Sequence, residues 1–318
     1  MPYFLGIDTS NYTTSASVYD SGSGKMIMKK KLLPVRKGEC GLRQSDAVFH
    51  HVRQLPEIME ELFFDFDGGI AAVGVSSRPR DIEGSYMPCF NVGYSVAKSI
   101  SLVKKIPLYT FSHQNGHIAA ALYSSQKTDL IGRSFLAFHV SGGTTEAVDV
   151  SPDSDNIFRT RIAARTLDLN AGQLIDRVGV MLGLDFPCGM QLERLALGNK
   201  ERISPRPTLK GADCCLSGVQ NICERALKEN KSPEYIAALC LGYVEASIEQ
   251  MCSRLLEDRG QLPVVFAGGV MSDKIIKDKL RKRFTAYFAA PEYSSDNASG
   301  TALLCSVRYD ADTNQKTL

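Results

Sequence analysis

Two histidines separated by three residues have the spacing in this sequence that points most directly to chemistry. His113 and His117 bound the segment His113-Gln-Asn-Gly-His117, and residues four apart lie on one face of a helix. Two imidazoles on one face can bind a divalent metal such as zinc or iron, which needs further ligands. Two unrelated surface or core histidines would show the same spacing by chance, so the pair alone leaves both interpretations open.

A third, oxygen ligand is predicted at Asp296, in the segment Ser294-Ser-Asp-Asn-Ala298 before the last predicted helix. A carboxylate is a common companion of two histidines in a metal site. Asp296 would also be a suitable cap for that helix, and the two roles are compatible. The sequence contains no His-Glu-x-x-His, the motif that supplies the general base of a zinc protease.

Three polar loops that follow apolar strands have the composition of a phosphate site. Two lie within the segments Phe4–Val18 and Phe138–Val148, and the third is Ala267-Gly-Gly-Val270. Glycines let a backbone approach closely, and successive N–H groups with hydroxyl side chains form an anion-binding nest. Each loop alone also fits an ordinary hairpin with a polar turn. Their recurrence favours nucleotide binding.

A further polar cluster lies at the start of a predicted helix, in the segment from Leu167 to Arg177. The helix N-terminus near Asp168 and Gly172 would favour an anion, and carboxylates there, such as Asp176, could bind ribose hydroxyls. In the plainer interpretation Asp168 caps the helix and Asp176 forms a surface ion pair. The sequence lacks a P-loop, a Gly-x-Ser-x-Gly elbow and a kinase catalytic loop.

Alternating strand and helix patterns must position these residues. The order of three strands, helix, strand, helix, strand, helix occurs twice, which predicts α/β domains with mixed sheets. We therefore expect two domains of the actin-like and sugar-kinase class, which is ribonuclease H-like, with a nucleotide cleft between them. Their predicted bounds are 1–125 and 126–318, with a loop-rich insertion at about 185–215 and a last helix that packs back on the first domain.

Composition narrows the class of protein further. The chain has 318 residues and a net charge of +2, which neither requires nor excludes nucleic acid. Nine cysteines without a Cys-x-x-Cys pair indicate reduced thiols of a cytoplasmic protein. No apolar run approaches the roughly 18 residues of a membrane span, so no membrane association is expected. Basic residues cluster at 29–37, 200–210 and 274–283, and such runs are usually solvated surfaces.

These motifs, in this order, resemble the family that makes threonylcarbamoyladenosine in tRNA, formerly called the O-sialoglycoprotein endopeptidase or glycoprotease family. The resemblance covers nearly the whole chain. The matching segments are Gly6-Ile-Asp-Thr-Ser10, His51-Val-Arg53, His113-x3-His117, Val140-Ser-Gly-Gly143, Ala171-Gly172 to Asp176, Leu184-Asp-Phe-Pro187, Pro205-Arg-Pro207, Leu216-Ser-Gly218, Ala267-Gly-Gly-Val270 and Asp296-Asn297.

The resemblance implies a divalent metal, iron or zinc, held by His113, His117 and Asp296. It also implies an adenine nucleotide, which would be threonylcarbamoyl-AMP, AMP or ATP. The residues it assigns to the nucleotide or substrate are Thr9, Ser10, Ser141, Gly142, Gly143, Thr144, Gly172, Asp176, Gly189, Gly268 and Gly269. The implied reaction is transfer of a threonylcarbamoyl group to N6 of adenosine 37 of tRNA, and no side chain is assigned as catalytic.

Several residues depart from the family pattern. Tyr12 and Thr13 replace two acidic residues, and Gln173 replaces a glutamate. Thr144-Thr-Glu146 stands where the family has His-Thr-Gln, and Arg78-Pro-Arg80 replaces Gly-Pro-Gly. We expect the Arg78-Pro-Arg80 segment and the 200–210 segment to contact RNA or a partner.

These departures leave two alternatives open. One is a divergent paralogue that transfers a carbamoyl-type group to an acceptor other than tRNA, and the other is a nucleotide-binding regulatory protein without catalysis. The predicted partners are tRNA, a small paralogous protein and an accessory ATPase, with a homodimer through the first helices as a further alternative. The old proteolytic label is disfavoured, because the sequence shows no nucleophile and base for that chemistry.

Overall fold

The computed structural model describes residues 2–10, 12–34, 42–64, 66–293 and 298–315. The chain folds into two compact units. Unit 1 comprises Met1–Gly132, Pro152–Arg159 and Glu292–Leu318, and unit 2 comprises Arg133–Ser151 and Thr160–Pro291. The predicted bounds were 1–125 and 126–318, with the last helix packed back on the first domain; unit 1 contains that helix and also the segment Pro152–Arg159.

Strands and helices follow the predicted order along most of the chain. They are β1 (Tyr3–Ser10), β2 (Thr13–Asp20), β3 (Met26–Leu32), α1 (Gln44–Phe63), β4 (Ile70–Arg78), α2 (Phe90–Lys104), β5 (Leu108–Ser112), α3 (His113–Ser124), β6 (Phe135–Val140), β7 (Thr145–Asp153), β8 (Ile157–Arg165), α4 (Ala171–Met181), α5 (Gly189–Leu197), β9 (Thr208–Lys210), β10 (Asp213–Cys215), α6 (Ser217–Lys228), α7 (Pro233–Arg259), β11 (Val264–Ala267), α8 (Lys274–Arg283), β12 (Ala286–Phe288) and α9 (Ala298–Gln315).

The sheet of unit 1 has the strand order β3-β2-β1-β4-β5. β1 pairs antiparallel with β2 and parallel with β4, which pairs parallel with β5. Apolar side chains of β1 and β4 pack against α1 and α2 to form the core of this unit. The carboxyl ends of β1, β4 and β5 therefore meet at one edge of the sheet, where ligands of open α/β sheets usually bind.

Helix α9 completes unit 1 by covering the other face of this sheet. Glycines make the close approach possible, since a Cβ at Gly6 in β1 would overlap α9 at Ala298 and Ala302, and one at Gly74 would overlap Thr301. Where α9 meets α3, a Cβ at Gly300 would overlap the carbonyl oxygen of Gly116. α9 is thus packed directly against the helix that carries the two histidines.

In unit 2 the strand order is β12-β11-β6-β7-β8. β6 pairs antiparallel with β7 and parallel with β11, so this order repeats the arrangement of unit 1. The 27-residue helix α7 begins at an N-cap, Ser232, followed by Pro233, and is buried on several faces. Together with α4, α6 and the sheet it forms the core of unit 2.

The predicted loop-rich insertion at 185–215 was wrong in detail. This segment contains helix α5 and the short hairpin β9–β10. α5 forms because Leu192 and Ala196, one helical turn apart, are buried against the unit 2 core. The cysteines of the described part of the chain are all free thiols, and all but Cys215 are buried.

Candidate functional site

The two predicted metal-binding histidines lie at the start of α3, which follows β5 without a loop. Ser112 caps this helix, because its hydroxyl accepts a hydrogen bond from the backbone N–H of Asn115 (3.2 Å). The centroids of the His113 and His117 rings are 4.6 Å apart. The structure therefore brings both imidazoles together at the carboxyl edge of the parallel strands.

A buried carboxylate from β1 orients the first of these rings. Asp8 Oδ2 lies 2.9 Å from Nδ1 of His113, and the Asp8 side chain is 1% exposed. Burial raises the pKa of Asp8, but the charge of His113 and hydrogen bonds from His113, Ser76 and Ser10 outweigh it and lower that pKa. A carboxylate on one nitrogen of a ligating histidine fixes the tautomer and leaves the other nitrogen for the metal.

The donor set fits a divalent metal of the zinc or iron type, since imidazoles and carboxylates are its usual ligands. Asp296, the predicted third ligand, lies outside the described residues. Within the described residues no group of three or more His, Cys, Asp and Glu side chains is arranged to hold a metal. The histidine pair and its bracing carboxylate are therefore the part of the site that the structure describes.

Thr9 and Ser10, predicted to bind nucleotide or substrate, lie in β1 of unit 1 and are buried. The Thr9 hydroxyl donates to the carbonyl of Cys89 (2.9 Å) and accepts from the N–H of Gly93 (3.0 Å). The N–H of Ser10 donates to Asp8 Oδ1 (3.0 Å). Thr9 thus holds the first turn of α2 against β1, and Ser10 helps to hold Asp8 in place.

A second polar cluster, for which no site role was predicted, lies beside β2. His51 is buried, and its Nδ1 lies 2.8 Å from the hydroxyl of Thr14, which donates to Gln54. Burial lowers the pKa of His51. The two positions that lack the family's acidic residues precede this cluster: Tyr12 is 45% exposed and Thr13 is buried.

Unit 2 contains a cavity of about 670 Å³, a volume typical of small-molecule sites. Several residues predicted to bind nucleotide line it together, although they come from distant parts of the sequence. Those residues are Gly142, Gly172, Asp176, Gly189 and Gly269. Charged residues of α5 and of the α8 N-terminus complete the lining, namely Glu193, Arg194, Asp273 and Lys274.

The predicted glycines have two different structural roles. A Cβ at Gly172 would lie 2.5 Å from the backbone nitrogen of Gly142, and one at Gly268, which has φ = 99°, would overlap the Val140 carbonyl. The absence of a side chain at Gly172 and Gly268 lets the start of α4 and the turn after β11 pack directly against the end of β6 and the turn that follows it. A Cβ at Gly142, Gly143, Gly189 or Gly269 would meet no atom within 4 Å. Side chains there would instead occupy open space, three of them at the cavity wall.

Ser141 and Thr144 form a tight turn at the end of β6. The Ser141 hydroxyl accepts from the N–H groups of Gly143 (3.3 Å) and Thr144 (3.1 Å), and the Ser141 N–H donates to the Thr144 carbonyl. The hydroxyl therefore shapes the turn.

Two carboxylates brace the same region. Asp176 Oδ1 accepts from the N–H of Cys188 (2.9 Å), which fixes the chain just before α5. Asp168, which the plainer of the two interpretations made the cap of α4, accepts from the N–H groups of Leu216 and Ser217 at the start of α6. Burial raises the pKa of Asp168, but these hydrogen bonds and one from the Ser217 hydroxyl lower it overall.

The segment Arg78-Pro-Arg80, expected to contact RNA or a partner, makes internal contacts through its first arginine. The Arg78 guanidinium donates to Asp81 (2.8 Å) and Asn156 (3.0 Å), and Asp81 accepts from the hydroxyl of Ser112 (2.8 Å). Ser112 is the cap of α3. Arg78 therefore supports the start of the histidine-bearing helix, and its contact with RNA or a partner stays a prediction.

Comparison with known proteins identifies the family. A family model of tRNA N6-adenosine threonylcarbamoyltransferase matches residues 36–303. The chain belongs to this family. Its members are transferases that act in tRNA modification, and the resemblance found in the sequence is confirmed.

Solved structures agree on the fold. Component A of (R)-2-hydroxyglutaryl-CoA dehydratase from Acidaminococcus fermentans is 14% identical, with a TM-score of 0.56 over 98% of this chain and 100% of that one. A ROK glucokinase from Streptomyces griseus, in complex with glucose and AMPPNP, is 11% identical, with a TM-score of 0.52 over 97% and 99%. Full-length HypF is 13% identical, with a TM-score of 0.60 over 98% and 55%. The predicted actin-like and sugar-kinase class is confirmed.

None of the described helices is both long enough and apolar enough to cross a membrane.

Proposed function

We propose that this protein transfers a threonylcarbamoyl group from threonylcarbamoyl-AMP to N6 of adenosine 37 in tRNA, and that the reaction depends on a divalent metal. The observation that carries the proposal is the arrangement of His113 and His117 at the start of α3, braced by buried Asp8, in a chain of this family. Free thiols throughout the described chain support a cytoplasmic setting.

In this proposal His113, His117 and Asp296 hold the metal. When bound, it supplies a Lewis acid that polarises the carbamoyl carbonyl. Asp8 would keep the Nδ1 proton of His113 in place, which would leave Nε2 as the nitrogen that can hold the metal. Ser112 and the Arg78–Asp81 pair hold the first turn of α3, which limits the positions the rings can adopt.

We assign the adenine nucleotide to the cavity of unit 2. Gly142 and Gly269 present backbone at the cavity wall without side chains, which would let phosphate oxygens approach N–H groups. Asp176 is fixed through Oδ1, and we assign Oδ2 to a ribose hydroxyl. No side chain is assigned as the base that takes the N6 proton, because Tyr12 and Thr13 stand where the family has acids.

The test is to incubate metal-loaded protein with threonylcarbamoyl-AMP and unmodified tRNA, with and without accessory proteins of the family. Mass spectrometry of the released nucleosides then detects threonylcarbamoyladenosine. We expect the product with wild-type protein and with His50→Ala, a control on α1, but not with His113→Ala.

Failure of the wild-type protein, with nucleotide still bound, would refute the proposal. Product on an acceptor other than tRNA would favour the divergent paralogue. Nucleotide binding without any product would favour the regulatory protein without catalysis. Tyr12 and Thr13, which stand where the family has acidic residues, would then account for the missing activity.

Partners are part of the same proposal. Phe49 and Val52 on α1 are 57% and 56% exposed, and Arg53 covers part of the Phe49 ring. We propose this surface for the small paralogous protein or for a second copy of the chain, with the accessory ATPase acting alongside. Light scattering of wild type and of Phe49→Ser/Val52→Ser, alone and with that protein, would test it. Unchanged masses would exclude this surface.

A further inference from the structure

We propose that Lys200, Arg202, Arg206 and Lys210 form a basic row that binds the phosphate backbone of tRNA. The inference rests on the proposed function for the identity of the RNA. It assigns an RNA-contacting surface to the segment between α5 and β10, on unit 2.

The segment displays its cations on one face. From Arg202 to Lys210 exposure alternates along the chain, with even-numbered residues exposed and odd-numbered residues partly buried. Ile203 and Leu209 pack against the unit 2 core. Because side chains of an extended chain alternate between two faces, the basic residues are held outward together.

The segment is also rigid for a connection of this length. Pro205 and Pro207 restrict the residues before them, including Arg206, to extended conformations. The inward side chains are anchored along α7, since a Cβ at Gly242 would lie 3.2 Å from Ile203 and 3.8 Å from Pro205. A pre-ordered surface loses little entropy when it binds a partner.

Charge along the row is largely uncompensated. Glu201 is the acidic residue within it, and its carboxylate pairs with Lys231 at 2.9 Å. Lys210 faces Asp213 across the β9–β10 hairpin. Within the described residues, Lys200, Arg202 and Arg206 have no ion pair. The exposed cations therefore leave a positive row along an otherwise near-neutral protein.

The spacing of the row suits a polyanion. At about 3.3 Å per extended residue, Lys200 and Arg206 are at most about 20 Å apart, a reach of several phosphates of one strand. The row starts three residues after Leu197, which lines the proposed nucleotide cavity. RNA bound along the basic row would extend toward the rim of that cavity.

The experiment is to measure binding of a fluorescently labelled, unmodified tRNA transcript by anisotropy at several salt concentrations. The variant Lys200→Gln/Arg202→Gln/Arg206→Gln is compared with wild type and with a control that removes the same charges from α6 and α7, Arg225→Gln/Lys228→Gln/Arg254→Gln. Loss of three phosphate contacts predicts affinity on the order of 10- to 100-fold weaker at 0.15 M salt, and a salt slope smaller by about 2. The control should bind as wild type does.

Adenine-nucleotide affinity and the melting temperature serve as controls for folding and should be unchanged in the row variant. Equal tRNA binding by the row variant and the control variant would overturn the inference, even if wild type modifies tRNA. Loss of binding to an accessory protein with tRNA affinity intact would assign the row to a protein and also overturn it. If wild type itself binds tRNA no better than a non-cognate RNA hairpin and yields no product, the proposed function fails first.

Discussion

Removal of the negative charge of Asp8 should weaken metal binding without unfolding the protein. Asp8 is 1% exposed and lies 2.9 Å from His113 Nδ1, while its other oxygen accepts from the N–H of Ser10. In Asp8→Asn the amide would face either the Ser10 N–H, which is a donor, or His113, where it would favour the wrong tautomer. In the first orientation the hydrogen bond from Ser10 is lost, and in the second Nδ1 of His113 must accept, which puts the ring proton on Nε2, the nitrogen assigned to the metal. Outer-shell partners of this kind are worth about 10- to 100-fold in metal affinity.

The assay is competition for Zn²⁺ against a chromophoric chelator, with Co²⁺ absorption as a second measure of ligand geometry. We expect Asp8→Asn to bind Zn²⁺ about 10- to 100-fold more weakly and its Co²⁺ spectrum to change. Asp67→Asn, an exposed carboxylate elsewhere in unit 1, should match wild type. An affinity within about twofold of wild type, with normal thermal unfolding, would refute the assignment of Asp8 as the residue that orients His113.

Three further predictions concern packing, pH and the cap of α3. Gly172→Ala, whose Cβ would lie 2.5 Å from a backbone nitrogen, should destabilise the protein by about 1–3 kcal/mol in chemical unfolding, whereas Gly189→Ala, in open space, should change stability by less than about 1 kcal/mol. Burial raises the pKa of Asp273 to about 6, so its stability contribution is present below pH 3.8 and lost as pH rises through about 6. Asp273→Asn should therefore have a free energy of unfolding higher than that of wild type above pH 7, by up to about 2–3 kcal/mol, and equal to it near pH 4. The same difference between variant and wild type at both pH values would contradict this. Arg78→Gln should leave Asp81 without its ion pair and loosen the first turn of α3, which faster amide hydrogen exchange there would reveal.

Most of the fold was predictable because its signals are local. The strand and helix patterns of unit 1 depend on apolar periodicity and on turn residues within each segment, and the repeated order indicated a duplicated α/β arrangement. α5 was missed because the Pro, Gly and charge of residues 185–215 outweighed a short pattern. Leu192 and Ala196, four apart, were the signal that could have found it.

The candidate site was predictable in its residue types but not in their roles. Gly172, Gly189 and Gly268 look alike in sequence, yet what lies opposite each depends on distant loops. Asp8 was overlooked as a site residue, although a carboxylate within an apolar strand is itself a signal of function or pairing. The internal role of Arg78 was not predicted, because its partner Asn156 is far away in sequence.

The close packing of α9 against the unit 1 sheet and against α3 has a consequence for how the protein folds during its synthesis. N-terminal units usually fold first as a chain leaves the ribosome. Here α9, which packs against Gly6, Gly74 and Gly116, follows unit 2 in the sequence. Every residue of unit 2 is therefore made before unit 1 can be completed. Until α9 is made, the face of the unit 1 sheet that it covers is exposed, so we expect chaperones to bind the nascent chain there and the histidine pair to become ordered only after α9 has packed.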